Sequence, residues 1–429
     1  MSEPRIDPAP APPGAAISDA GVPGDDHARA TRASWAVFAV FAINGFVFAS
    51  WASRLPAIRD ALTLTPAQMG LVLLVGSLGS LIALPLTGSV VHRFGTATTT
   101  RSASVLTATG LVAALLAVTA GSTPLTAGLL FFALMGIGAW DVSMNLQGTV
   151  VERGVGRAIM PRFHAGFSLG AVAGAGVGAL AAHAGVAVGW HVGVAVVIAV
   201  LAVLVLTSLY LPDGAMTAPA PGTEAPKARH RALAAWAEPR TLLIGVMVLA
   251  AALTEGSGND WLALSVVDGF ASSEAIGALA FGLFVASMTV MRFAGTGLLD
   301  RYGRVPVLRL CAGLALVGLL LFGLSPSMPL AIVGVVLWGL GAALGFPVGM
   351  SAAADDPAHA AARVSVVSSI GYIAFLVGPP LLGMLADHVG YRTALLVITI
   401  PLVASLLLAQ VAAPLQPSAD DPDETHSAA

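Results

Sequence analysis

Several ionisable side chains lie within long apolar segments of this 429-residue chain, where a charged group is costly. Among them, Glu255, Asp141 and His164 are the candidates for proton chemistry. A carboxyl group in such low-dielectric surroundings can bind a proton on one side of a membrane and release it on the other. A histidine can exchange protons near neutral pH. We therefore predict that Glu255 and Asp141 carry protons and that His164 relays them.

Polar and aromatic side chains near these groups are candidates for contact with a solute. Asn44 and Glu255 each lie near the middle of an apolar segment, judged from a helical rise of about 1.5 Å per residue. Asn145 follows Asp141 by four residues and shares its helical face. Indole rings offer flat faces for stacking on a ring of the solute. The predicted solute-binding residues are Asn44, Trp51, Trp140, Asn145, Asp260 and Trp261.

The ionisable groups also have a structural interpretation. Each carboxylate could pair with Arg162, His164 or Arg292 and so hold two helices together. Arg292 could instead neutralise Asp300 or a helix end, or bind a carboxylate of the solute. The sequence leaves these alternatives open.

The segment around Asp260 has two interpretations as well. A Gly-Ser-Gly-Asn run at 256–259 is expected to loosen the helix, and broken helices are common near transporter substrates. The alternative is a frayed helix end, with Trp51 and Trp261 in the aromatic belt at the membrane surface.

The composition indicates that membrane-spanning helices carry these residues. Hydrophobic residues make up 57% of the chain and charged residues only 10%, whereas soluble domains have about 25% charged residues. About 20 apolar residues in a helix cross the hydrocarbon core. We predict an all-α polytopic membrane protein with twelve spans in two sets of six, near 34–52, 67–91, 102–121, 124–147, 161–184, 187–211, 241–268, 274–298, 306–325, 328–353, 363–386 and 391–413.

These spans form two six-helix bundles, over 34–211 and 241–413, with polar segments between and beside them. The linker 212–240 and the tails 1–33 and 414–429 are expected on one side, the tails as disordered segments. Most Lys and Arg residues lie on that side, and positive charge is retained in the cytoplasm. We thus expect a protein of the cell membrane with both termini cytoplasmic.

The two bundles resemble each other in sequence, which indicates an internal repeat. In spans 5 and 11, Gly166, Gly178, His183 and Gly185 align with Gly371, Gly383, His388 and Gly390 at one constant spacing. Transporter sites form at the interface between such repeats. We therefore expect the candidate residues of both halves to face one central cavity.

This organisation resembles the major facilitator superfamily over about residues 34–413. The family's loop pattern after spans 2 and 8 is Gly-x-x-x-Asp-Arg-x-Gly-Arg. The first copy here has His92 at the Asp position, and the second keeps its three charged residues. The resemblance implies a secondary transporter that opens alternately to the two sides of the membrane, with a cytoplasmic gate formed by His92, Arg93, Asp300, Arg301 and Arg304.

Three further strings resemble a fucose-permease-like branch of that superfamily. They run from Asn44 to Pro56, from Asp141 to Gly170 and from Glu255 to Trp261. Sugar permeases of the fucose type carry acidic groups on spans 1 and 4, where this chain has Asn44 and Asp141. The resemblance implies proton coupling and a sugar-like solute.

Other function classes lack the residues they need. The sequence has no nucleophile motif, Walker A sequence, dinucleotide-binding glycine pattern or His/Cys metal spacing, so we expect neither an enzyme nor a cofactor. A net charge of −3 without a Lys/Arg run argues against a nucleic-acid partner. We predict a monomer in the lipid bilayer that moves a small-molecule solute with protons.

Two alternatives to a polar solute permease stay open. Drug–proton antiporters of the superfamily carry a Gly-Pro signature in span 5, and its absence here favours a polar solute over efflux of an apolar drug-like compound. The second alternative is a membrane sensor that keeps the fold without transport, although the polar segments are short and carry no recognisable signalling domain.

Overall fold

The computed structural model describes residues 23–156, 159–213, 234–356 and 359–415, with side chains from residue 28 onward. This part of the chain is helical and contains no strand. Twelve of its helical segments are long and apolar enough to cross a membrane, which confirms the predicted fold class. In order, spans 1–12 are Ala28–Leu62, Pro66–Phe94, Thr96–Thr119, Thr123–Val155, Met160–His183, Val188–Leu209, Pro239–Gly269, Glu274–Tyr302, Arg304–Leu324, Met328–Ala353, Ala360–Val389 and Tyr391–Ala412.

Some spans are built from several helices. Span 6 is Val188–Leu206 followed by the short 3₁₀ turn Thr207–Leu209. Spans 1, 10 and 12 are interrupted. Span 1 contains the α-helices Pro23–Ala52 and Leu55–Leu62, and span 10 contains Met328–Ala342 and Gly345–Ala353. Span 12 contains the α-helices Tyr391–Leu395 and Thr399–Leu408 and the 3₁₀ turns Leu396–Ile398 and Ala409–Ala412.

The first helix begins at Pro23, within the segment that the sequence places in a disordered tail. Proline is favoured at the first helical position, because its fixed φ suits a helix and its missing N–H would have no helical partner there. The helix therefore extends beyond the apolar part of span 1. The expected disorder of residues 1–22 and 416–429, and most of the expected linker, lie outside the described residues.

Local signals in the sequence fix several helix ends. Thr65 caps span 2 in a reciprocal arrangement with Gln68, whose main-chain N–H donates to the Thr65 hydroxyl. The turn glycines Gly95 and Gly303, which follow spans 2 and 8, have φ of 81° and 77°. Since these two glycines occupy equivalent places in the halves, their matching left-handed conformation supports the internal repeat.

Small residues bring the spans into close contact. A Cβ at Gly170 of span 5 would overlap the carbonyl oxygen of Ala42 in span 1, and a Cβ at Gly45 would overlap that of Phe167. This backbone approach is the packing that glycine permits between helices in lipid. Between the halves, span 2 packs on span 11 and span 5 on span 8. The four spans enclose the space in which the candidate site lies.

The two ends of the bundle differ in how the halves are joined. We call the end with the loops at Gly95 and Gly303 the terminal side, and the end with residues 53–65 and 270–273 the opposite side. On the opposite side, Arg59 of the N-terminal half bonds Asp268 of the C-terminal half. Arg54 lies 3.5 Å from Glu274 there, again between halves.

On the terminal side, the ion pairs found among the described residues connect side chains of the same half. Arg304 bonds Asp355 at 2.6 Å, and Arg363 bonds Glu238 at 2.6 Å, all within the C-terminal half. The halves are therefore tied together at the opposite side, and the space between them extends towards the terminal side.

Candidate functional site

A cavity of about 1160 Å³ lies between the two halves. Spans 1, 2, 4 and 5 line it from one half and spans 7, 8, 10 and 11 from the other. Of the residues predicted to carry protons or bind the solute, four line it, two from each half: Asp141, His164, Glu255 and Asp260. Its wall is otherwise mostly apolar, with aromatic rings from Phe48, Phe346, Tyr372 and Phe375.

Asp141 lies on span 4, in the N-terminal half. The side-chain amide of Asn145 donates to the backbone oxygen of Asp141 at 2.9 Å and lies 3.4 Å from its carboxylate Oδ1. Asp141 forms no ion pair within the described residues, so neither Arg162 nor His164 neutralises it there. Asn145 itself does not line the cavity and acts on Asp141 from one turn away.

Glu255 lies on span 7 and is bonded to Arg292 of span 8, with 2.9 Å between Oε1 and Nη2. Both side chains line the cavity and are partly exposed in it. Of the partners left open by the sequence, the structure therefore gives Arg292 to Glu255 and not to Asp300. Arg292 also lies within electrostatic range of His164, across the cavity in the other half.

Arg292 makes a second contact, to the interruption of span 10. Pro347 has no backbone N–H, so the carbonyl of Ala343 loses its usual helical donor. The Nε of Arg292 lies 3.4 Å from that carbonyl oxygen. The broken helix beside the cavity is therefore span 10. Pro347 is the residue in the sequence that indicates this break.

The expectation that the helix is loosened before Asp260 is wrong, because span 7 is one continuous helix from Pro239 to Gly269. Gly258 faces the ring of Phe284 in span 8 so closely that a Cβ would overlap it. The glycines of this run therefore allow close packing between helices. A small crevice of about 10 Å³ adjoins Asp260, Trp261 and Pro379. Asp260 forms no hydrogen bond or ion pair within the described residues.

Four predicted solute-binding residues lie behind the cavity wall. Asn44, Trp51, Trp140 and Trp261 are each at most 3% exposed and do not line the cavity. Trp261 packs on Tyr391, with 5.6 Å between ring centroids. Neither Trp51 nor Trp261 is in an exposed aromatic belt. A solute-binding role for these four residues stays a prediction, since in this conformation they pack in the helix bundle.

The predicted gate residues lie on the terminal side but do not join the halves in the described part of the chain. Arg93 stacks on Phe94 and Arg301 on Tyr302, both neighbours in sequence. His92 is exposed, while Asp300 and Arg304 line the terminal end of the cavity. A latch role for these five residues stays a prediction.

Sequence reasoning missed the contacts on the opposite side. Arg59 bonds both Asp60 and Asp268 and lies 5.8 Å from the ring centroid of Tyr391. In addition, the backbone N–H of Ala67 donates to Asp387 across the halves at 3.2 Å. The available signal in the sequence was the position of Arg54, Arg59 and Arg392, which lie on the other side from most of the Lys and Arg residues.

No group of three or more His, Cys, Asp or Glu side chains is arranged to hold a metal ion in the residues for which the structure gives positions. Cys311 is buried in span 9, as expected for a small apolar side chain. The site therefore offers carboxylates, one ion pair, an imidazole and aromatic rings.

The chain is similar along most of its length to known transporters. The family model described as Major Facilitator Superfamily matches residues 36–259 and 259–428. The uncharacterized transporter y4wD of Sinorhizobium fredii is 31% identical over 365 residues, covering 84% of this chain and 93% of that protein. An uncharacterized MFS-type transporter of Yersinia pestis is 32% identical over 358 residues, with coverage of 81% and 87%.

Solved structures share the fold at low sequence identity. The nucleoside transporter NupG superposes with a TM-score of 0.70 at 14% identity, covering 88% of this chain and 98% of NupG. The E. coli fucose:proton symporter FucP gives a TM-score of 0.61 at 15% identity, with coverage of 89% and 98%.

Proposed function

The chain belongs to the major facilitator superfamily, and from this we propose that it moves a small polar solute across the membrane by alternating access, coupled to protons. One observation carries the proposal. The halves enclose one cavity that is closed by contacts on the opposite side, and unpaired carboxylates of both halves, Asp141 and Asp260, face it. We propose transport and not catalysis as the activity.

Asp141 is our proposed principal proton carrier. Its carboxylate lines the cavity at bilayer depth without a cationic partner in the described structure. A lone negative charge there is costly, and a bound proton removes that cost. Binding and release of the proton as the cavity changes sides would couple proton movement to the movement of the halves.

Glu255 and His164 have secondary roles in this proposal. Glu255 already has a cationic partner in Arg292, which compensates its charge in this conformation. Arg292 lies within range of His164 in the other half. When the halves rearrange, separation of Arg292 from Glu255 would free Glu255 to take a proton.

The cavity is large enough to admit a sugar-sized solute, and its carboxylates and Arg292 offer polar contacts. The structural neighbours include a nucleoside transporter, a fucose:proton symporter and a D-xylose-proton symporter. Asp260 would contact the solute in this conformation. Asn44, Trp51, Trp140 and Trp261 would reach it only after a rearrangement of the spans that cover them.

We further propose that the terminal side is cytoplasmic and that the protein lies in the cell membrane as a monomer. Most positive residues of the loops lie on the terminal side. With that orientation the cavity would open towards the cytoplasm.

The proposal is tested by proton movement in sealed proteoliposomes. Solutes are added one at a time, from hexoses, pentoses and nucleosides to cationic dyes, while a pH-sensitive dye reports on the lumen. We expect at least one polar solute to produce a pH change that Asp141→Asn abolishes.

Glu152→Gln is the matched control, because Glu152 is a carboxylate of the same span that does not line the cavity. Its side chain accepts hydrogen bonds from the backbone N–H groups of Ile159 and Met160, and an amide oxygen can still accept both. A pH change that survives in Asp141→Asn would contradict the coupling role, and solute exchange without any pH change would leave transport but remove the protons.

A further inference from the structure

The charged groups around the cavity do not balance. Glu255 is neutralised by Arg292, and Arg304 is bonded to Asp355 at 2.6 Å. These two arginines are the cations of the cavity wall. The carboxylates that line it without an ion pair in the described structure are Asp141, Asp260 and Asp300. Arg304 and Arg240 share Asp355, which leaves one positive charge there. When the three unpaired carboxylates are ionised, the cavity therefore carries excess negative charge, and an apolar wall strengthens its field.

Aromatic rings face one of these carboxylates. Tyr372 and Phe375 of span 11 line the cavity, with 6.5 Å between their ring centroids. Asp141 in the other half lies within electrostatic range of the Tyr372 hydroxyl. A carboxylate on one wall and aromatic rings on the other are the two groups that bind an ammonium ion, by charge pairing and by cation–π attraction.

We propose that the solute is a polar organic cation, a sugar-sized ring or chain that carries a protonated amine. The ammonium group lies between Asp141 and the rings of Tyr372 and Phe375, and Asp260 supplies a second negative group across the cavity. This inference rests on the proposed function and specifies its substrate class. The apolar remainder of the wall contacts the carbon skeleton of the solute.

The proposal also explains how the solute and protons exchange. The solute arrives as an ammonium ion, and the carboxyl group of Asp141 releases its proton as the ammonium binds. The site then holds either the proton or the amine, and the charge on Asp141 is compensated in both states. The charged groups that face this exchange are Asp260, Glu255, Arg292, His164, Asp300 and Arg304.

A charge-selective thiol reaction tests the inference without knowledge of the solute. Cys311 is replaced by Ala, and a cysteine is introduced at Ser77, which lines the cavity. The protein is treated with a trimethylammonium-ethyl and a sulfonato-ethyl methanethiosulfonate, and each rate is divided by that of a free small thiol. Thr98→Cys, exposed on the terminal side and outside the cavity, is the control.

We expect the ratio of cationic to anionic rates to be about tenfold higher at position 77 than at position 98. Asp141→Asn and Asp260→Asn should each lower the ratio several-fold, whereas Asp141→Glu should keep it. Equal ratios at the two positions, or a ratio insensitive to both Asn substitutions in protein that is monodisperse and thermally stable, would overturn the inference.

Matched solute pairs separate this inference from the proposed function. D-glucosamine, D-glucose and N-acetyl-D-glucosamine share one ring and differ in the charged amine, and each is tested for protection of the Ser77→Cys thiol and for proton movement. Protection by the amine alone supports the inference. Protection or proton movement with the neutral sugars and not the amine overturns it while keeping the proposed function. If none of the three sugars protects the thiol or moves protons, the ratio of cationic to anionic labelling rates alone supports or overturns the inference.

Discussion

Arg59 should act as a latch that holds the cavity closed on the opposite side. Its guanidinium bonds two carboxylates, Asp268 of the other half and Asp60 of its own half. The Arg59 side chain is 11% exposed and that of Asp268 38% exposed. Exposed ion pairs contribute about 0.2–1 kcal/mol and charged hydrogen bonds about 1.5–3 kcal/mol. For this half-covered pair we take about 1 kcal/mol, which is about fivefold in an equilibrium.

Asp268→Asn should therefore raise the population that is open on the opposite side about fivefold. Asp60→Asn is the matched control, since it removes a carboxylate from the same guanidinium without removing a contact between the halves. The assay is labelling of Ser77→Cys, in a Cys311→Ala background, by a membrane-impermeant maleimide supplied from the opposite side of oriented vesicles. The labelling rate follows the open population when that population is small.

The two variants should give different labelling rates. We expect the Asp268→Asn rate to be about fivefold that of the parent, and the Asp60→Asn rate to stay within about twofold. Equal acceleration by both substitutions would show that Arg59 acts within its own half, and an unchanged rate in Asp268→Asn would refute the latch.

Two further predictions concern stability in detergent. Gly170→Ala should lower the melting temperature, because the added Cβ would overlap the carbonyl of Ala42 and overpacking costs about 1–3 kcal/mol. The control Gly176→Ala is on the same span and has open space around it, so it should leave the melting temperature unchanged or higher. Equal losses in the two variants would contradict the packing argument. The hydrogen bond from Arg363 lowers the pKa of Glu238. Ionised Glu238 therefore stabilises the fold at pH values above its ordinary pKa of about 4.3. This stabilisation is below about 1 kcal/mol, because the Glu238 side chain is one-third exposed. It is lost as the pH falls through the lowered pKa. Thermal unfolding between about pH 6 and pH 3.5 should show a smaller loss for Glu238→Gln than for the parent, and identical curves would exclude the effect.

The spans could be predicted from the sequence because hydrophobicity over about 20 residues is enough to define them. The capping box at Thr65 and the paired turn glycines Gly95 and Gly303 were also visible, because each depends on a few neighbouring residues. The early start of the first helix was not predicted. A search for apolar residues stops where the apolar run begins, whereas the helix already starts at Pro23, a residue that is favoured at the first helical position.

The candidate site was predicted in part. Depth within a span identified Glu255 and Asp141, but whether a side chain has a partner depends on the rotation and approach of helices far apart in sequence. The Arg292–Glu255 pair was one of several pairings that the sequence allowed. The interhalf contact of Arg59 and Asp268 joins residues 209 positions apart, so no local pattern could indicate it.

The glycine run before Asp260 illustrates a second limit. Glycine lowers helix propensity, which made a loosened helix a reasonable expectation. In a bilayer the same residue allows helices to approach, and the contact of Gly258 with Phe284 shows that packing decides here.

The most direct test of the account compares uphill accumulation with exchange for a solute that the protein moves. In proteoliposomes with an imposed pH gradient, the parent should accumulate or expel that solute against its own gradient and should also exchange labelled for unlabelled solute. We expect Asp141→Asn to lose all gradient-driven movement, whereas the control Glu152→Gln should keep both gradient-driven movement and exchange at about the parent's level. Gradient-driven movement by Asp141→Asn at the parent's level would contradict the central claim that this carboxylate in the cavity couples protons to transport.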